Sequence, residues 1–283
     1  SQNAYAQALA RRGQVEAALA HLIQCEKSNG PWQDHEIGTL RSTAGEILRG
    51  HHRLVEYLAH VDTWVREAPK SIPSNAFGWY LTTLVMLDRE EEAWTLAKQW
   101  LQAPDAGKIE GLALHRFDAA VRYVQGQSEG LYVNRLDPAA VKLIAETIRR
   151  LLNHETLYSY AESMLQDWRF RNSDPAIQLI AELSAKLSKD AATLPPAEFR
   201  FLFQVVYRDR GTAGAAPLLE TALARWESSV GREHAIFEEL LLNYARDEVR
   251  LKFARSRFAK ASSPWEKREA AWDLFQQLLG GKW

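Results

Sequence analysis

The sequence predicts an all-α protein, an α-solenoid of about seven stacked helix hairpins, on three observations. Turn residues Gly13, Gly50, Asp88 and Gly126 recur at intervals of 37, 38 and 38 residues. Apolar residues follow a helical period on both sides of each turn. No stretch alternates with period two and β-branched residues, so no strand is expected. A hairpin of this length cannot bury its apolar stripe alone and must stack on its neighbours, which makes binding scaffolds the natural occupants of the architecture.

The elements follow in order. Helices over 4–12 and 15–28 flank Gly13, and Asn29-Gly30-Pro31 stops the second with strong breakers. Helices over 35–49 and 51–67 flank Gly50, and Pro69 ends that unit. Ser74 is placed to cap a third pair that turns at Asp88 and closes at Ala103-Pro104-Asp105. Residues 108–125 form the first arm of a fourth hairpin, followed by the longest connection, 126–137. Asp137-Pro138 supplies an N-cap and a proline suited to the first helical position, opening a helix to about Leu152. A fifth pair, 156–171 and 175–187, turns at Asn172-Ser173-Asp174. A sixth, 196–210 and 214–228, turns at Gly211. The last pair is one long helix over 233–259 and a helix from Pro264 capped by Ser263 and ended by Gly280-Gly281. The organisation expected is helical repeats over 1–125, a connecting loop at 126–137, and helical repeats over 138–283 continuous with the first half, with two separate helical domains as the alternative.

Composition excludes several function classes. Lys plus Arg (35) nearly cancels Asp plus Glu (36), so no global field favours nucleic acid or an acidic membrane. The longest apolar stretch, Tyr80 to Leu87, is too short to span a bilayer. A single cysteine, Cys25, precludes an internal disulfide framework. No secretory leader opens the sequence, and cytoplasmic placement is the matching expectation. The chain opens on Ser1 almost directly into a helix, and an exposed solenoid end normally needs a cap, so a further domain N-terminal to residue 1 is expected. Ten tryptophans among the aromatics suit helix seams and ligand grooves equally.

Three segments carry more than periodicity: Tyr5, Ala6, Leu9, Gly13, Ala18, Leu22, Cys25 and Pro31; Tyr80, Leu81, Leu84, Asp88, Ala93, Ala97, Trp100 and Pro104; and Tyr207, Gly211, Ala216 and Leu223. They resemble the tetratricopeptide repeat over roughly 2–105 and 196–228. Leu81 and Trp100 stand where the family has small residues, the unit around Gly50 matches poorly, and the spacing exceeds 34 residues. HEAT-like repeats are the nearest alternative. The resemblance implies a right-handed α–α superhelix whose groove, lined by the first helix of each hairpin, takes a peptide or protein partner. By position the groove residues are Gln7 and Arg11, then Asn75, Trp79 and Thr82, then Arg200, Gln204 and Arg208. The clamp that some family members use on chaperone tails is matched only at Asn3.

Chemistry-bearing motifs are sparse. Phosphate-cradling glycine loops, nucleophile elbows and H-E-x-x-H are all missing from the sequence, so no catalytic residue, metal or cofactor is expected. His21 and Cys25 share a helix face without a third ligand. His51 and His52 sit at a turn before His60 and Asp62, too far apart to chelate together. Asp88 and Glu90–Glu92 suit the positive end of a helix dipole. The stretch 246–268 is net basic, and Arg246, Arg250 and Arg257 fall on one helical face. The reading is a non-enzymatic interaction scaffold for a protein or peptide. The alternatives are a ligand-sensing regulatory solenoid of a multidomain signalling protein and a nucleic-acid binder using that basic face, although nucleic acid is not the expected partner.

Overall fold

A computed structural model of the chain describes residues 1–28, 32–102, 111–128, 134–152 and 155–279. The stops at Asn29-Gly30-Pro31 and Ala103-Pro104-Asp105, the centre of the 126–137 connection and the closing Gly280-Gly281 lie outside the described residues. Among the described residues the protein is all-helical, 83% helix, with no strand. It divides into two compact units, 1–156 and 157–283. The division falls past the 126–137 connection. Leu136 is buried in that connection, so the chain there is tied into the first unit's core.

The first unit holds α1 (Gln2–Arg11), α2 (Val15–Lys27), α3 (Asp34–Gly50), α4 (Leu54–Glu67), α5 (Ala76–Met86), α6 (Glu90–Leu101), α7 (Leu112–Val124) and α8 (Pro138–Leu151), with a 3₁₀ turn at Pro69–Ser71. Its regularity is clearest in the turns. Gly13, His52, Asp88 and Gly126 all take positive φ, at 79°, 59°, 57° and 61°. In each case the next residue's N–H reaches back five residues to a carbonyl: Gln14 to Leu9, Arg53 to Leu48, Arg89 to Leu84 and Gln127 to Arg122, at 2.8–3.0 Å. This double-bonded left-handed cap satisfies carbonyls that the helix end leaves open. The second turn therefore sits at His52, not Gly50, which ends α3 in helical conformation.

That two-residue shift explains the poor match of the second unit. Counted from the left-handed residue, the buried pair seven before and five after is Ala6 and Ala18 in the first hairpin, Leu81 and Ala93 in the third. In the second it is Gly45 and Tyr57. A Cβ on Gly45 would lie 2.9 Å from Tyr57 Cε2, so the ring occupies the volume a side chain there would need. Tyr57 also donates its hydroxyl to the Ala76 carbonyl at 2.9 Å, joining α4 to the start of α5. The α5 helix begins at Ala76 with Asn75, not Ser74, before it.

Helices pack on sequence neighbours and on next-but-one neighbours, α1 with α3 and α5 with α7. Arg41 of α3 crosses three segments: its guanidinium pairs with Glu26 of α2 at 2.5 Å and donates to the Ala68 carbonyl at 3.1 Å beyond α4. At the start of α8, the Asp137 carboxylate accepts from Ala139 and Ala140 N–H with Pro138 at the first helical position.

The second unit holds α9 (Tyr158–Gln166), α10 (Trp168–Arg171), α11 (Asp174–Asp190), α12 (Pro196–Ser228), α13 (Gly231–Tyr244), α14 (Asp247–Lys260) and α15 (Pro264–Leu278). Gly211 breaks α12 at φ 65°, ψ −164°, where a turn was expected. Two expected single helices are each split. The stretch over 156–171 breaks at Asp167, whose buried carboxylate accepts from Arg169 N–H at 3.0 Å and pairs with its guanidinium at 2.5 Å. The stretch over 233–259 breaks at Ala245 and Arg246, both extended. Arg250 makes that break tenable, because its guanidinium donates to the Leu241 and Leu242 carbonyls that end α13. Ser263 caps α15 as expected, in a reciprocal box with Glu266.

Candidate binding site

The expected groove positions separate once their surroundings are known. Gln7 donates to Glu46 at 3.3 Å, and Arg11 is exposed at the end of α1. Asn75, Trp79 and Thr82 lie at the start and on one side of α5, but two of them are not surface residues. α5 is apolar around most of its circumference and is packed by α4, α6 and α7. Thr82 is therefore buried, donating to backbone carbonyls of its own helix and accepting from Arg49 at 3.4 Å. Trp79 is only 7% exposed. The Arg49 guanidinium lies over its ring at 4.9 Å, and the Tyr57 ring meets it edge-on at 6.3 Å.

The Trp79 indole nonetheless borders an opening. A cavity of about 150 Å³ lies between the start of α5, the middle of α7 and residues 127–128. Its chemistry is set by Asn75, Trp79, Asp118, Arg122 and Ser128, and Gly78 leaves its floor bare. Trp79 Nε1 and Ser128 Oγ are both buried with no hydrogen-bond partner among the described residues. Ser128 is 6% exposed. Each such idle group costs about 1–3 kcal/mol relative to a satisfied one, so two around one small cavity make it the candidate place for a polar group to enter. Asp118 and Arg122 pair at 3.0 Å along the rim and carry no net charge together. The site offers an indole donor, a hydroxyl that donates or accepts, and an amide; among its described residues no nucleophile stands beside a base.

In the second unit, Gln204 and Arg208 border a much smaller hollow of about 20 Å³ on α12. Arg208 is already paired with Glu162 at 2.8 Å, and Arg200 pairs separately with Glu239 at 3.3 Å. The basic face read from the sequence is not free. Arg246 lies outside the helix and donates to the Ala245 carbonyl. Arg250 pairs with Asp273 at 2.7 Å, and Arg257 pairs with Glu238 and Glu269. These guanidiniums fasten α14 to α13 and α15, and the charge available to phosphates is correspondingly small.

His51 and His52 are exposed at the turn, whereas His21 and His60 contact neighbouring side chains. His21 Nε2 meets Gln2 Oε1 at 2.9 Å and Cys25 Sγ at 3.6 Å. No group of three His, Cys, Asp or Glu able to hold a metal occurs among the described residues. Burial lowers the His60 pKa below its ordinary value, favouring the neutral ring beside Trp64. No described helix is long and apolar enough to cross a membrane. Comparison of the chain with protein-family models, curated proteins and solved structures finds no match.

Ser128, Asp118 and Arg122 escaped the sequence reading because they lie in the fourth hairpin and just past its turn, outside the stretches 2–105 and 196–228 that carry the repeat resemblance. The only signal that could have found them was Gly78, a glycine inside an otherwise strong helix, where a close approach or a needed space is the usual reason.

Proposed function

We propose that this chain is a non-enzymatic interaction module of tetratricopeptide-like repeats, and that the cavity beside Trp79 receives the main chain of an extended peptide segment from its partner. The repeated left-handed turns with their five-residue back-bonds support the repeat reading. The observation that carries the binding reading is the pair of idle buried groups, Trp79 Nε1 and Ser128 Oγ. An extended peptide presents a carbonyl and an N–H within a few ångströms, one for the indole donor and one for the hydroxyl. Asn75 can take a second backbone or amide contact at the mouth.

The test exploits Gly78. A Cβ there meets nothing within 4 Å, so Gly78→Leu occupies the cavity without displacing the fold, and removing a helix-interior glycine favours the helix. A displayed random-peptide library is selected against the full chain, and binders are measured by fluorescence polarisation on wild type and Gly78→Leu. Peptides that lose at least about tenfold affinity on the variant, a change of about 1.4 kcal/mol, support the proposal. Peptides that bind both proteins equally, or a selection that yields none, refute it.

A further inference from the structure

A second opening in the first unit has a different chemistry and shares no lining residue with the Trp79 cavity. Its volume is about 390 Å³, and it lies among the start of α6, the end of α7 and the approach to α8. Trp94 and Tyr123 form its aromatic corner, with centroids 6.3 Å apart and planes inclined at 52°. Aliphatic side chains of Val85, Val124 and Leu136 form most of the remaining wall.

The charges are set at the edge. Glu90 and Glu91 line the opening from the first turn of α6 and are exposed. Their neighbour Glu92 is consumed by Arg89 at 2.7 Å, but neither Glu90 nor Glu91 is in an ion pair among the described residues. Asp137 also borders the opening, its carboxylate engaged by the α8 amides. Arg135 is the one opposing charge in the described lining. The helix dipole favours acids at this position, but it accounts for neither the aromatic corner nor the phenol facing it. Tyr123 is only 8% exposed, and its hydroxyl has no hydrogen-bond partner among the described residues. Burial, with the Glu90 charge second, raises the phenol pKa to about 12, so it stays neutral.

We infer that this opening binds a methylated ammonium group. Aromatic faces attract a cation through the ring quadrupole, and the aliphatic wall covers methyl groups that offer no hydrogen-bond donor. The two unpaired carboxylates balance the charge from the edge without needing an N–H donor. An unmethylated ammonium would lose hydration against the largely apolar wall and recover N–H acceptors only from the Tyr123 hydroxyl and the carboxylates at the edge. The group belongs either to a small free ligand or to a methylated lysine of a bound peptide.

The test uses the full chain, titrated calorimetrically with choline and with its neutral isostere 3,3-dimethylbutan-1-ol. Choline is expected to bind at least about tenfold more tightly than the isostere, because only the cation gains from ring faces and carboxylates. Trp94→Leu keeps an apolar wall and should weaken choline about tenfold. Glu90→Gln with Glu91→Gln leaves the packing untouched and should weaken choline severalfold, an effect that shrinks as salt rises. Arg135→Gln should tighten it. A peptide carrying trimethyllysine binding more tightly than choline assigns the group to a peptide; equal or weaker binding assigns it to a free ligand. Equal binding of choline and isostere, or choline affinity unchanged in both the Trp94 and glutamate variants, overturns the inference. Gly78→Leu should leave choline binding intact, so this site and the Trp79 cavity fail or succeed separately.

Discussion

Replacing Gly45 by alanine tests the packing exchange that sets the second hairpin. Two opposed effects are built into the site. Alanine in a helix interior is favoured over glycine by about 1 kcal/mol. Against that, the new Cβ would stand 2.9 Å from Tyr57 Cε2 and 3.4 Å from Trp79 Cζ3. The Tyr57 ring has nowhere to go, since it is fully buried and its hydroxyl is tied to the Ala76 carbonyl. Overpacking of that kind costs about 1–3 kcal/mol, so Gly45→Ala should destabilise by up to about 2 kcal/mol. In a Tyr57→Leu background the obstructing ring atoms are gone and the same substitution should stabilise by about 1 kcal/mol. The coupling between the two positions is then about 1–3 kcal/mol, measurable by urea unfolding of the four proteins of a double-mutant cycle. Equal effects of Gly45→Ala in both backgrounds would refute the exchange, and with it the placement of the turn at His52.

Three further expectations concern charges and caps. Arg41→Met removes the guanidinium joining Glu26 to the Ala68 carbonyl and should cost about 2–3 kcal/mol by urea unfolding, less than a fully buried pair because Glu26 is part-exposed. Asp167→Ala removes the carboxylate paired with the buried Arg169 guanidinium together with the cap of α10, with an expected loss of about 3–5 kcal/mol in the same assay; a loss under 1 kcal/mol would show that the pair is idle. Backbone N–H and hydroxyl donors of Ser263 and Ser262 hold Glu266 at about 2, below its ordinary 4.5. A depressed carboxyl pKa contributes stability above its unfolded value and loses it as pH falls through the folded one. The protection of amides in the first turn of α15, taken relative to their intrinsic exchange rate at each pH, should therefore fall between pH 4.5 and about 2, and Glu266→Gln should flatten that response.

The helices and most of their ends were legible in the sequence because the forces that place them act within about five residues. Gly13, Asp88, Gly126 and Gly211 each take the positive φ that a turn needs. Asp137-Pro138 and Ser263 cap as their types require. His52 was missed beside Gly50 because both residues fit the local signal, and only the packing of Tyr57 against Gly45 selects between them. The breaks at Asp167 and at Ala245-Arg246 interrupt apolar patterns that read as continuous. They are held by contacts that are not patterns: a buried carboxylate turned back on its neighbour's guanidinium, and Arg250 capping the preceding helix.

The candidate site was legible only in part, at Asn75 and Trp79. Helical position says which way a side chain leaves its own helix, not which helix will cover it. Trp79 was expected on the surface and is roofed by Arg49 and Tyr57, leaving an idle indole N–H. An arginine likewise reads the same in sequence whether it faces water or a carboxylate, and Arg250 meets Asp273 across α14 and α15. By itself the sequence determined an all-helical chain and the places where it turns, since backbone hydrogen bonding and caps are local. Tertiary packing decided which polar groups are spent inside the protein and which are left unpaired, because burial and pairing depend on residues far apart in the chain.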